Sequence, residues 1–405
     1  MELRPFARLD YPLGRIALIA AVVGVAVTLG LRIDPMENPD SLAFLALARS
    51  LLSGHGFRYQ EPLIPGLDLL AFRAFGYPAF AALGMALGGI GAVIAIQGAL
   101  NGLSAALVGA IARDLHGVRA AWIAFALRMI WPFSWFYSGQ FMSETLYEFL
   151  SVLASWLVVW SVTRRQIRWS VLAGLPAAAA ILCRPVGVGL AAALGLWLLV
   201  RFPRAAPAFA LAALVTWAPW PVRNALHLHA FVPFTTNGAG TAWVGLSGGV
   251  ARPAYDWMGA HTELGEIGFD RHFRALNREL VRRDPGAVVS GVAGRAIFYL
   301  GPIRGRATML WVHRFAMLGA LAALLLRSAR ARLLLPGLVW AAQGALLVAI
   351  LLNDRYRFPT DWCVVVAAAF GVVAVAERFG DRRALLLAGI AAALCIAGSY
   401  ALTLR

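Results

Sequence analysis

The sequence predicts an all-α membrane protein: a polytopic helix bundle of about eleven spans with interfacial helices and a mostly helical outward loop region. Three observations predict it. Of 405 residues, 60% are hydrophobic and only 14% are charged, and the mean hydropathy is +0.72. Soluble domains carry roughly a quarter charged residues. Uncharged apolar runs recur at lengths that can cross a hydrocarbon core. The arginines between these runs recur on one side, which is the bias of cytoplasmic loops. The same figures exclude a soluble globular enzyme, a disordered chain and a nucleic-acid-binding module. The net charge of +16 comes from 36 basic residues, all of them Arg. Cys183, Cys363 and Cys395 lie in apolar stretches without CxxC spacing, so neither a disulfide framework nor a zinc site is implied.

The first span covers residues 14–32, with Arg4 and Arg8 before it and Arg15 at its start, which places the N-terminus inside. It is long for the apolar core of a cleaved signal peptide, and no small-x-small site follows it. Further apolar segments begin near residues 91, 119, 143, 169, 187, 205, 312, 333, 360 and 383. Short loops carrying Arg113/Arg119, Arg164/Arg165/Arg168, Arg201/Arg204, Arg327/Arg330/Arg332 and Arg378/Arg382/Arg383 return to the N-terminal side, leaving the C-terminus outward.

Two outward segments, 33–90 and 223–310, are longer than helix connections require. In the first, residues 41–53 put Phe44, Leu47 and Leu51 on one helical face and Arg49, Ser50 and Ser53 opposite, the pattern of an interfacial helix. Residues 77–88 are apolar but short, and read as a second interfacial or re-entrant helix. The second segment carries an amphipathic helix with Phe269, Phe273, Leu276 and Leu280 on one face. Asp284-Pro285 reads as an N-cap followed by proline at the first helical position. No internal repeat is present.

Asp34, Glu37 and Asp40 follow the first span directly. A partly buried carboxylate at the edge of a bundle can serve as a general base, and Asp40 can equally cap the 41–53 helix. Asp34 reads as a solvated helix-end residue. Ser143-Glu144 opens a span, with Glu148 one turn further on the same face. Arg128, near mid-depth of the preceding span, needs a partner there, and an Arg128–Glu148 pair holding the bundle stands against a direct catalytic role. Arg184-Pro185, Arg223-Asn224 and Asp354-Arg355-Tyr356-Arg357 occupy three outward helix ends. Converging guanidinium groups would make a phosphate site, against the plainer reading of snorkelling interfacial arginines. His227-x-His229 could present two imidazoles from an extended segment, but no third metal ligand accompanies them. Asn237–Gly249 lacks the strand and helix context of a nucleotide loop and reads as a close-packed outward loop.

Taken in order, these motifs resemble a known superfamily. Residues 39–57 (PDSLAFLALARSLLSGHGF) are similar to the acidic residue and interfacial helix of GT-C glycosyltransferases. FRAFGYPAF (72–80) resembles their R-x-P-G-Y-P element, departing from it at Ala74-Phe75. MSETLYEFL (142–150), CRPVGVGL (183–190), APWPVRN (218–224), VPFTTNGAGTAWVG (232–245) and RYRFP (355–359) continue the pattern across nearly the whole chain. The likeness is nearest to the protein mannosyltransferase-like and lipid A aminoarabinose transferase-like branch, with residues 1–405 as one GT-C-type transmembrane domain. It implies inverting transfer of a sugar from a polyprenyl-monophosphate carrier to an envelope glycan, lipid or protein acceptor. The reaction would occur on the extracytoplasmic face of a bacterial inner membrane, with no cofactor, no metal and no nucleic acid. By motif correspondence Asp40 takes the base role, and Arg184, Arg223, Arg355 and Arg357 lie near the carrier phosphate. Asp34, Glu37, Glu144, Tyr356 and Arg128 are secondary candidates. Competing expectations are a lipid or solute transporter and a polymerase or ligase of diphosphate-linked oligosaccharides.

Overall fold

The computed structural model describes residues 10–60, 67–247, 255–301, 307–350 and 353–403. Arg4 and Arg8 lie outside the described residues. The chain is an all-helical polytopic bundle. Among the described residues five helices are long and apolar enough to cross a membrane: Leu13–Gly30, Gly76–His116, Glu144–Arg164, Pro203–Leu228 and Asp354–Phe379. Shorter apolar helices accompany them, including Ile167–Cys183, Gly187–Arg201 and Leu334–Ile350.

The sequence-predicted spans have helical counterparts, but their lengths differ. The segment expected from residue 119 is a helix of only 12 residues, Val118–Met129. That is about 18 Å, short of the roughly 30 Å of a hydrocarbon core. Pro132 explains the stop, since the residue before a proline is driven out of the helical region and Trp131 is extended. The 77–88 helix and the following span form one kinked element, Gly76–His116, broken at Gly88 and Gly89. Gly89 has φ 67°, a left-handed conformation that only glycine adopts cheaply. Leu13–Gly30 packs against the second arm of this element through small residues. A methyl group on Gly98 would stand 2.7 Å from the carbonyl oxygen of Gly24, so the helices approach backbone to backbone.

The basic loops gather at one end of the bundle. Arg119 pairs with Asp381 at 3.2 Å, and Arg332 reaches the His116 ring at 3.1 Å. Arg165 donates to the Arg201 carbonyl and Arg113 to that of Tyr11. In the interior Arg128 makes a two-pronged pair with Glu148, at 3.0 and 2.7 Å, and also donates to Asn101 Oδ1. Both charged groups are buried, and the pair joins the Val118–Met129 and Glu144–Arg164 helices.

At the opposite end the two long segments interlock. The interfacial helix forms over Asp40–Leu52, burying Phe44 and Leu47 and exposing Arg49. An antiparallel pair of two-residue strands follows, Tyr59 opposite Leu69 and Gln60 opposite Asp68, the one departure from all-α expectation among the described residues. The amphipathic helix runs over Tyr255–Arg283, and Phe269 and Phe273 are buried against Phe72 and Trp243. Asp284 caps the next helix as expected, accepting from the Ala287 amide at 2.9 Å. That helix, Pro285–Leu300, is apolar and exposes Val289 and Ile297, so much of the expected polar loop is itself an apolar helix. Asn237–Gly249 is also corrected: Gly238–Leu246 is helical, with Gly240 and Gly245 buried in its packing face.

Glu266 ties the two segments together. Its carboxylate accepts from the Leu70 amide at 2.6 Å, the Ala71 amide at 2.7 Å and the Thr236 hydroxyl at 2.7 Å. Burial pushes its carboxyl above the usual range, opposed by those three donors. Glu266→Ala would leave two backbone amides without acceptors, at about 1–3 kcal/mol each. The variant should lose several degrees of thermal stability and be cleaved sooner by protease in 67–71 or 255–283. Unchanged melting and digestion would remove Glu266 from this tethering role.

Candidate functional site

A cleft of about 850 Å³ opens at the interlocked end, between the interfacial helix, the Leu334–Ile350 helix and the outward segments. Asp40 lies at its inner wall, as the first residue of its helix. The capping alternative fails, because Asp40 makes no side-chain cap bond and Asn38 Oδ1 accepts from the Asp40 amide instead. Both oxygens of Asp40 are occupied by arginines. Oδ1 pairs with Arg73 at 2.8 Å and Oδ2 with Arg355 at 2.7 Å. Burial would raise the carboxyl's pKa, but Arg73 and Arg355 outweigh it and hold the group at about 2.

Arg355 also pairs with Glu144, which is fully buried at the start of its helix. The same Glu144 oxygen receives Arg184 at 2.8 Å, and Arg184 donates to the Ser143 hydroxyl at 3.1 Å. The Tyr356 ring stacks beneath both guanidinium groups, 5.3 Å from Arg184 and 5.6 Å from Arg355. Local backbone geometry explains the convergence. Arg184 leaves its helix in an extended conformation just before Pro185. Gly76 packs so closely there that a methyl group on it would sit 2.8 Å from the Cys183 amide nitrogen. That contact brings the Arg73 stretch beside Arg184.

The charge count is simple. Arg73, Arg184 and Arg355 face Asp40 and Glu144, leaving one formal positive charge in a largely desolvated cleft end. Such an end suits an anion, and planar guanidinium forks suit an oxyanion. Among the described residues no group of three or more His, Cys, Asp or Glu is placed to hold a metal ion. The position between the two carboxylates, where a cation would sit, is held by Arg355.

Of the sequence-predicted site residues, the structure brings together Asp40, Arg184, Arg355, Tyr356 and Glu144. Arg223 and Arg357 do not line the cleft. Arg223 sits within the Pro219–Leu228 helix and donates to the Leu70 and Phe57 carbonyls, at 2.6 and 2.9 Å, clamping the strand pair. Arg357 is buried among His313, Asp361 and the carbonyls of Phe298 and Gly301. Asp34 is exposed and turned to the Met36 amide, while Glu37 accepts from Gln140 at 3.2 Å. His227 and His229 end a helix instead of sharing an extended strand. Sequence reasoning missed Arg73, although it stands in the quoted FRAFGYPAF stretch. It also missed Asp270, Arg274, Asn277 and Arg278, which form the cleft's outer wall.

Fold and cleft together define an all-helical polytopic membrane protein with a charged cleft at one end. No protein-family model and no curated relative matches the chain. Solved structures do. The Archaeoglobus fulgidus oligosaccharyltransferase in complex with zinc and sulfate overlays with a TM-score of 0.54 at 18% identity, over 95% of this chain and 53% of that one. The oligosaccharyltransferase AglB of the same organism, in complex with an inhibitory peptide and a dolichol-phosphate, gives 0.55 at 15% identity, over 95% and 56%. ArnT from Cupriavidus metallidurans bound to undecaprenyl phosphate gives 0.45 at 16% identity, over 90% and 77%. The chain therefore spans about half the length of the archaeal oligosaccharyltransferases it matches. The two archaeal overlays establish the fold.

Proposed function

We propose that the protein is a membrane glycosyltransferase that moves a sugar from a polyprenyl-monophosphate carrier to an envelope acceptor. The observation that carries this reading is the cleft end itself, two carboxylates and three arginines converging with a net positive charge. The archaeal relative of the same fold is described with a dolichol-phosphate, a ligand of the same chemistry. The active face is extracytoplasmic, because the cleft lies opposite the end where the basic loops gather.

In this reading the carrier phosphate engages Arg355 and Arg184 from the cleft. Asp40 takes the proton from the acceptor hydroxyl, and the oxygen attacks the anomeric carbon in a single inverting displacement. The glycosidic bond to the phosphate breaks, and the arginines stabilise the charge gathering on the departing phosphate. Asp40 cannot accept a proton well while both its oxygens are capped by arginine. A phosphate that draws Arg355 toward itself frees one oxygen and lifts the carboxyl's pKa, so donor binding readies the base.

The test is sugar release from radiolabelled polyprenyl monophosphate and polyprenyl diphosphate donors by purified protein in detergent. Release from the monophosphate alone is the expected result. Release from the diphosphate alone would make the protein a polymerase or ligase of lipid-linked oligosaccharide. Transport of the lipid across proteoliposomes without any release would make it a transporter.

A further inference from the structure

The outer wall of the cleft carries a polar row that the phosphate chemistry does not use. Asp270, Arg274, Asn277 and Arg278 line the cleft from one helix, the last three at spacings of four, seven and eight residues from Asp270 that share a face. Asp270 and Arg274 are joined at 2.7 Å, yet they do not form an ordinary surface bridge. The Asp270 side chain is only 11% exposed, whereas the Arg274 side chain is 59% exposed. Arg274 takes Oδ2, and Asp270 Oδ1 is buried without a hydrogen-bond partner.

Asn277, two turns on, shows the same asymmetry. Its Nδ2 donates to the Ala239 carbonyl at 2.9 Å, which fixes the orientation of the amide. Its Oδ1 is then left as an acceptor, also without a partner. A buried acceptor left unsatisfied is costly, and two on one wall of a cleft call for donors from a ligand. Phosphate and carboxylate ligands bring acceptors, the wrong sign. Hydroxyl groups bring donors. The neighbouring helix Gly238–Leu246 adds Thr241, and its N-cap position Asn237, to the same cleft. The whole space, about 850 Å³, is at the upper end of small-molecule sites at roughly 300–1,000 Å³, enough for a ring beyond the phosphate.

We propose that Asp270, supported by Asn277, forms the subsite for the hydroxyl groups of the donor's sugar ring. The proposal rests on the glycosyltransferase reading and adds to it the element that recognises the transferred group. The phosphate is held at the inner, arginine end, and the sugar is chosen at the outer wall.

The experiment compares equilibrium binding of undecaprenyl phosphate with that of the same lipid phosphate carrying mannose, glucose, galactose or arabinose. Wild-type protein should bind at least one sugar-bearing lipid about tenfold tighter than the bare one. Asp270→Asn keeps the shape of the side chain but weakens the acceptor. It should remove most of that advantage and leave affinity for bare undecaprenyl phosphate unchanged. Asp270→Ser, which cannot overpack the wall, should do the same. Equal weakening for both classes of lipid would mean a structural role, and undiminished sugar preference would mean the ring lies elsewhere. Either result overturns the proposal. If the wild type binds bare and sugar-bearing lipids equally, the subsite also falls, while the phosphate site stands. If it binds neither, the glycosyltransferase reading fails and the subsite falls with it.

Discussion

Asp40→Asn should lower turnover by about two or more orders of magnitude while leaving the protein folded and able to bind donor. The amide keeps the size of the side chain and can still accept a hydrogen bond from Arg73 or Arg355, but it cannot take a proton. Capping is not at stake, because Asn38 already serves the Asp40 amide. Turnover, donor affinity and melting temperature are the measurements, and near-normal turnover would end the base assignment. Arg73 gives a second handle on the same carboxylate. Asp40 is held at about 2 because Arg73 and Arg355 outweigh the effect of burial. Removing Arg73 should raise its pKa, so the acid limb of kcat/KM should move to higher pH in Arg73→Gln. The sign for stability follows the same logic. A depressed carboxylate pKa contributes stability that is complete above the unfolded value and is lost as pH falls through about 2. Neutral buffers therefore show the full effect of the pair, and an acid limb in Arg73→Gln at the wild-type position would separate Asp40 from the titration.

Much of this architecture could be read from local chemistry. The Gly88-Gly89 break follows from two adjacent glycines between apolar runs, and the Asp284-Pro285 start from side-chain geometry that needs no distant partner. The Arg128–Glu148 pair was legible because a mid-depth charge in an apolar bundle must find its counter-charge. What escaped was decided by tertiary packing. Asn237–Gly249 holds five glycines and reads as loop, yet Gly240 and Gly245 let Gly238–Leu246 pack as a helix. The strand pair at 59–60 and 68–69 is too short to leave a pattern. Sequence position gives the depth of an outward arginine but not its direction around the helix axis. Arg355 and Arg357 are neighbours in the chain, yet one lines the cleft and the other is sealed behind it. The Asp270 wall was hidden for the opposite reason. It lies on the polar face of an amphipathic helix, where charges are ordinarily solvated.

That separation of the arginines gives the remaining prediction. Arg355→Ala removes the guanidinium that bridges Asp40 and Glu144, and turnover should fall by about two to three orders of magnitude, as when a preorganised oxyanion partner is lost. Glu144 keeps Arg184, so the buried carboxylate is not left uncompensated and the fold should survive. Arg355→Lys tests geometry apart from charge. Lysine restores the positive charge but cannot reach Asp40 and Glu144 as a planar fork does, so it should recover only part of the loss. Arg184→Lys should behave in the same way, more mildly, since Arg184 touches Glu144 and Ser143 but not Asp40. Arg223→Lys and Arg357→Lys are the contrast. One clamps the Phe57 and Leu70 carbonyls and the other is buried against His313, so both should lower melting temperature without a specific loss of affinity for bare polyprenyl phosphate. Donor affinity, turnover and melting temperature for all five variants, each with and without chelator, form one experiment. Arg355 and Arg357 variants that lose donor affinity equally would break the distinction between them. Wild-type activity that vanishes on chelation would move the task of charge stabilisation from Arg355 to a metal ion.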